Sequence, residues 1–221
     1  GSEKLADNYR SKRSSYCGLP FDDCLLFDVE LIDKSVHSLS RGKAAGLDGL
    51  TVEHLQYSHP ALFTIINKLF NLMIKYDHVP DGFGLSYTVP LPKSNYASIS
   101  KSLTVEDFRG ISISPILSKI FEKCIFDRYG RFLETSDSQF GFKKGIGCSH
   151  AIYAVRSTVD HFVHNGSTVN LCALDLSTSF DKTNHHGLFI KLMERMLPNA
   201  MLSTLEYWFI LFLFQSLKHT I

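Results

Sequence analysis

The sequence predicts a mixed α/β (α+β) protein, and three observations carry that expectation. Apolar residues recur at helical spacing over residues 60–76, 114–133 and 149–166. Shorter segments at 86–93, 108–113 and 168–176 are rich in strand-forming residues or alternate with a period of two. Of the 221 residues 44% are hydrophobic, enough for one sizeable domain or two small lobes, and the 20% that are charged are not gathered into tails, which excludes wholesale disorder.

Residues 1–35 read as an irregular polar lead-in, followed by a short amphipathic stretch through Val36 and Leu39. A glycine-punctuated loop, Gly42 to Leu50, comes next. Pro60 suits the first turn of a helix reaching Tyr76, with Leu62, Phe63, Ile65, Ile66, Leu69, Phe70 and Met73 as its buried stripe. Asn67, Lys68, Asn71 and Lys75 make the wet face, and Asp77 to Pro80 end the helix. Tyr87, Val89 and Leu91 alternate with Thr88 and Pro90 in a strand whose prolines mark an edge or an end. The polar, Ser-rich stretch from Lys93 to Val105 predicts a flexible loop or hairpin tip, and Phe108–Ile113 a second strand.

Ser114 and Pro115 form a cap and first-turn pair for a helix to about Leu133, with Ile116, Leu117, Ile120, Phe121, Cys124 and Ile125 inward. Gly130 costs about 1 kcal/mol relative to alanine and argues for an earlier end. After the glycine-basic loop Gly141–Gly147, Ser149 caps a helix with Ile152, Val155, Val159 and Phe162 on its apolar side, ending near Gly166. A strand from Thr168 to Leu176 and a helix from about His186 to Met196 complete the pattern.

The net charge of +1 says little about partners, but its distribution is uneven. Asp22, Asp23, Asp28, Glu30 and Asp33 are acidic near the start, whereas Lys93 to Lys144 carries nine cations against six acids. That local excess is compatible with a nucleic-acid path. Five scattered cysteines without zinc-like spacing read as reduced thiols, which places the protein in the nucleus or cytoplasm. The apolar run from Tyr207 to Phe214 falls short of the roughly 20 residues that span a bilayer, so no membrane association is expected. The Gly-Ser start suggests a fragment.

The segment Thr168 to Asp181 holds the most chemistry. Alternation puts Val169, Leu171, Ala173 and Asp175 on one strand face, with the carboxylate at the strand's carboxyl end, where open sheets commonly place ligands. A carboxylate there suits Mg²⁺, which takes few protein oxygens and completes its shell with phosphates and water. The same pattern is met by an aspartate that merely caps the next turn. An aspartyl nucleophile of the Asp-x-Asp kind is a rival, although Ser177 stands at its second position; no P-loop motif occurs.

Leu174-Asp175-Leu176-Ser177-Thr178-Ser179-Phe180-Asp181, with His185 following, resembles the first catalytic palm motif of LINE-type (non-LTR) reverse transcriptases. Four further stretches resemble that family in its order. They are Gly42 to Gly49, Val89-Pro90-Leu91-Pro92-Lys93, Phe108 to Ser112 with Lys119 to Glu122, and Gln139 to Gly145. The resemblance spans roughly Val36 to Trp208.

It implies a right-hand polymerase, with 36–165 as a fingers-like region and 166–221 as the beginning of a palm, performing RNA-templated extension of a DNA primer with dNTPs. Asp175 would then bind the metals, assisted by the Leu176 backbone carbonyl, with two Mg²⁺ expected in the complete enzyme. Phe180 would pack under the incoming sugar, leaving no room for a 2′-hydroxyl; plain core packing is the other reading. Lys93 and Arg109 would clamp the triphosphate; without the resemblance they are surface charges. Gly141, Lys143 and Lys144 would approach template or primer phosphates, although an ordinary exposed turn has the same composition. Asp181 and Lys119 read as structural.

Two departures touch the motifs: Gly110 stands where the family has proline, and Thr178-Ser179 where it has Lys-Ala. A larger one is that no Ala-Asp-Asp motif occurs, so the expectation is a portion truncated before the second catalytic motif and the thumb, inactive alone. Such a portion should leave a palm edge and apolar surface uncovered, open to association with partners. The alternative is a non-catalytic retrotransposon remnant or a domesticated nucleic-acid-binding module.

Overall fold

The computed structural model describes residues 2–20, 22–93, 104–176 and 183–218. The elements run α1 (Ser2–Ser14), α2 (Val29–His37), α3 (Val52–Gln56), α4 (Ala61–Lys75), β1 (Tyr87–Pro92), β2 (Phe108–Ile113), α5 (Ile116–Leu133), α6 (Cys148–His164), α7 (His185–Glu194) and α8 (Asn199–Lys218). Helices combine with one two-stranded antiparallel sheet, which makes the chain α+β. It divides into two compact units, Gly1–Phe132 with His186–Ile221, and Leu133–His185.

The first unit is built on an aromatic cluster. Phe121, fully buried on α5, lies 5.0 Å from Phe70 of α4, 6.0 Å from Phe27, 6.2 Å from Phe83 and 5.3 Å from Trp208 of α8, ring centroid to centroid. Most of these rings meet edge to face, as the aromatic quadrupole favours. Tyr129 closes the cluster with its hydroxyl donating to Leu25 O at 2.9 Å. Its packing, with Phe132 buried beyond it, carries α5 through Gly130 to Leu133; the tertiary contacts outweigh the glycine cost.

Three expectations are corrected in this unit. Much of the lead-in is helical. Asp28 caps α2 by accepting the Leu31 N–H at 2.7 Å, and this bond, with Arg128 beside it, holds the Asp28 carboxyl below the usual carboxylate range. α1 buries no residue and is held by polar contacts: Arg13 pairs with Glu206 at 2.9 Å and donates to Asn199 and Ser203, while the Tyr9 hydroxyl donates to Glu206 at 2.6 Å. α4 is rotated from the expected stripe. Asn67 and Asn71 grip the backbone of Phe27, Ile74 is buried, and Ile65 faces solvent. Finally, the apolar run after Tyr207 continues α8, whose Met201, Leu202, Thr204 and Trp208 enter the core.

Gly18 permits a close approach nearby: a Cβ there would meet Leu197 O at 2.5 Å, and its φ of +65° suits glycine. The five cysteines form no disulfide. Among the described residues no helix is long and apolar enough to cross a membrane.

In the second unit α6 opens at Cys148 rather than under a Ser149 cap; the Gly147 N–H donates to His150 Nδ1 at 3.2 Å. None of its residues is buried, so the expected apolar side, including Ile152, Val155 and Phe162, faces solvent. The expected strand at 168–176 is absent: the segment is irregular and its leucines are exposed. A strand persists by lending its N–H and C=O groups to a neighbour, and among the described residues no segment pairs with this one. The alternation marked a face without supplying the partner.

Candidate functional site

The β1–β2 hairpin positions two of the candidate cations. Tyr87 pairs with Ile113, Val89 with Ile111 and Leu91 with Arg109. Cross-strand partners point to the same face, so Arg109 shares a face with Tyr87, Val89 and Leu91. The ladder extends one step further, with the Lys93 N–H donating to Asp107 O at 2.9 Å, and alternation sets position 93 on that face too. Lys93 and Arg109 are both exposed at this end of the hairpin, where the strands run into their connection. Gly110 lies opposite Pro90, and a Cβ there would come within 2.9 Å of the Thr88 methyl; a glycine fits this crossing without displacement. Arg109 therefore sits on a paired strand, as the sequence pattern over Phe108–Ile113 predicts.

Behind the hairpin the glycine loop packs on α5. The Tyr87 hydroxyl donates to Ala45 O at 3.0 Å, and a Cβ at Gly46 would meet Pro115 Cα at 2.9 Å. Loop and helix leave a cleft of about 230 Å³ lined by Lys43, Gly46, Val52, Ser114, Ile116 and Lys119. Lys43 and Lys119 belong to motifs that the sequence displays separately. Their sharing one cleft is a tertiary fact with no local signal.

The remaining candidates belong to the second unit. In the Gly141–Gly147 loop, Lys143 is tied down: its ammonium donates to Ser136 O at 2.7 Å and lies 3.8 Å from Asp137. Lys144 is exposed, and Gly145 turns the chain at φ +78°. Gly141 is exposed and accepts from the Gln139 amide at 3.3 Å. The adjacent lysines thus differ, one bracing the loop and the other facing water.

Asp175 and Leu176 lie on the exposed irregular segment rather than at a strand tip. Phe180 and Asp181 lie outside the described residues. Lys93 and Arg109 are brought together within the first unit; Asp175, Lys143 and Lys144 belong to the second. Asp175 offers a single carboxylate, and among the described residues no group of three or more His, Cys, Asp or Glu side chains could hold a metal ion. By themselves, these residues do not compose a two-metal site.

No protein-family model matches the chain. It is 24% identical over 195 residues to the RNA-directed DNA polymerase from mobile element jockey of Drosophila funebris, covering 86% of this chain. It is 24% identical over 181 residues, 80% of the chain, to the probable RNA-directed DNA polymerase from transposon X-element of Drosophila melanogaster. The corresponding protein from transposon BS of that species is 22% identical over 174 residues, 77% of the chain. The chain spans only 19–20% of the length of these relatives. It is a homologue of the RNA-directed DNA polymerases of Drosophila non-LTR retrotransposons.

Proposed function

We propose that the chain is a portion of a right-hand RNA-directed DNA polymerase, with residues 1–35 as an N-terminal lead-in, 36–165 as fingers and 166–221 as the beginning of the palm. The complete enzyme would extend a DNA primer on an RNA template with dNTPs, in the nucleus or cytoplasm. The observation that carries this reading is the pair of exposed cations, Lys93 and Arg109, on one face of a hairpin in a chain whose homologues are such polymerases. A triphosphate needs fixed positive charge, and arginine adds two-pronged geometry.

In this reading Lys93 and Arg109 hold the triphosphate, while Lys144 and the backbone near Gly141 meet template or primer phosphates, with Lys143 keeping that loop in shape. Asp175 and the Leu176 carbonyl contribute oxygens for Mg²⁺, and Phe180 supports the sugar. In this reading the two Mg²⁺ ions belong to the complete enzyme, and the 221-residue chain by itself is expected not to polymerise.

Primer extension on an RNA template with Mg²⁺ and dNTPs tests this. No incorporation is expected from the chain alone; incorporation abolished by Asp175→Ala would overturn its assigned inactivity.

A further inference from the structure

Helix α1 is attached differently from the other long helices of the first unit. α2, α4, α5, α7 and α8 each bury apolar side chains, whereas α1 buries none. Its hold is concentrated on one carboxylate. Glu206 of α8 accepts the Tyr9 hydroxyl at 2.6 Å and the Arg13 Nε–H at 2.9 Å. The remaining Arg13 nitrogens donate to Asn199 Oδ1 at 2.8 Å and to Ser203 Oγ at 2.7 Å. Tyr9 and Arg13 stand one turn apart, so a single face of α1 makes all of these contacts. The ion pair is largely shielded, with the Arg13 side chain 24% and that of Glu206 15% exposed. Lys12 and Glu194, 2.9 Å apart, add an exposed pair that water and salt weaken. Just beyond the helix the chain is fixed by a different set of groups. The Tyr16 hydroxyl donates to Leu197 O, and the Leu19 N–H to Met196 O at 3.4 Å.

We propose that α1 is a hinged strap, latched to α8 through Glu206 and anchored at Tyr16 and Leu19, that lifts as a unit about Ser14 and Ser15 while the core beneath stays folded. No buried side chain ties the opening of α1 to that of the core, so its release leaves the aromatic cluster around Phe121 intact. A 13-residue helix is marginal by itself in water, so losing the latch loses the helix as well. Docking and helicity are thereby one event. Opening bares the face under Tyr9, whose ring centroid lies 5.1 Å from that of His186 and 6.2 Å from that of Phe189. Phe189 is 5% exposed with the strap closed, and its ring lies 5.5 Å from that of Phe209. The strap therefore controls access to an aromatic patch between α7 and α8. The inference goes beyond the polymerase reading and uses none of its candidate site residues.

Native-state hydrogen exchange of the full chain, read by mass spectrometry of peptic fragments, tests this. The amides of α1 should be protected yet exchange as one group, well before those of α4 and α5. Arg13→Ala removes a side chain whose partners Asn199, Ser203 and Glu206 are none of them fully buried. It should speed exchange across α1 by at least about tenfold and leave α4 and α5 unchanged. Tyr9→Phe keeps the ring against His186 and Phe189 and removes only the bond to Glu206, so a smaller acceleration confined to α1 is expected. Exchange of α1 at the rate of the core, no protection of α1, or an Arg13→Ala variant that leaves α1 unchanged overturns the proposal. So does an equal acceleration of α1, α4 and α5, the mark of a helix that opens only with the core.

Discussion

If α8 is an integral wall of the core, then Trp208→Ala should destabilise the first unit heavily. Trp208 is 8% exposed and its ring lies 5.3 Å from that of Phe121, itself fully buried. Its indole N–H reaches Phe83 O only at 3.5 Å, longer than a strong N–H···O bond, so packing carries most of the effect. Removing a buried tryptophan side chain costs about 3–5 kcal/mol through lost transfer energy and the cavity left behind. For a unit of this size each kcal/mol shifts Tm by about 2–4 °C, which gives a fall of roughly 6–20 °C. Trp208→Phe keeps a ring against Phe121 and should recover more than half of it. Thermal melts followed by circular dichroism measure both variants. A Trp208→Ala melt within about 1 °C of the parent would show that Trp208 lies outside the core, and the packing of α8 described above would fail.

Several smaller perturbations probe other parts. Asp28→Ala removes the α2 cap and the Arg128 partner, and a loss of about 1–2 kcal/mol is expected in urea melts. Because the Asp28 carboxyl is held below its ordinary value, its contribution is present at neutral pH and lost as pH falls through the acid range; the variant's acid-side decline should be shallower. Burial, with the bond to Glu206, raises the Tyr9 hydroxyl to about 12. The folded state then keeps a proton that the unfolded chain releases near pH 10, so stability falls between about pH 10 and 12, and Tyr9→Phe should blunt that fall in alkaline melts. Thiol titration should label Cys17, Cys24, Cys148 and Cys172 in the folded protein. Cys124, buried and pushed up to about 11, should react only after denaturation.

The sequence displays the elements whose signals are local. The hairpin follows from alternation at 87–92 and 108–113, and α5 from its repeating apolar positions. What escaped depends on distant partners. α1 has little apolar periodicity because its anchors are Glu206, Asn199 and Ser203, more than 180 residues away. α4 is rotated because Phe27 demands both asparagines, and pattern alone cannot know that a backbone waits there. The run after Tyr207 is too uniformly apolar to show a face. Around the candidate site the sequence pattern sets Arg109 on a strand and Lys143 and Lys144 in a glycine loop, but only the tertiary structure separates the braced Lys143 from the exposed Lys144. Alternation predicts a strand at Asp175, but alternation contains no information about a pairing neighbour.

The proposed polymerase role is tested most directly by the anisotropy of a labelled RNA template–DNA primer across a salt series. Binding should weaken as salt rises, and Lys144→Ala should lower the slope of log K against log salt by about 1, as for one lost phosphate contact. Absence of binding at low salt, or a slope untouched by Lys144→Ala, would contradict the account.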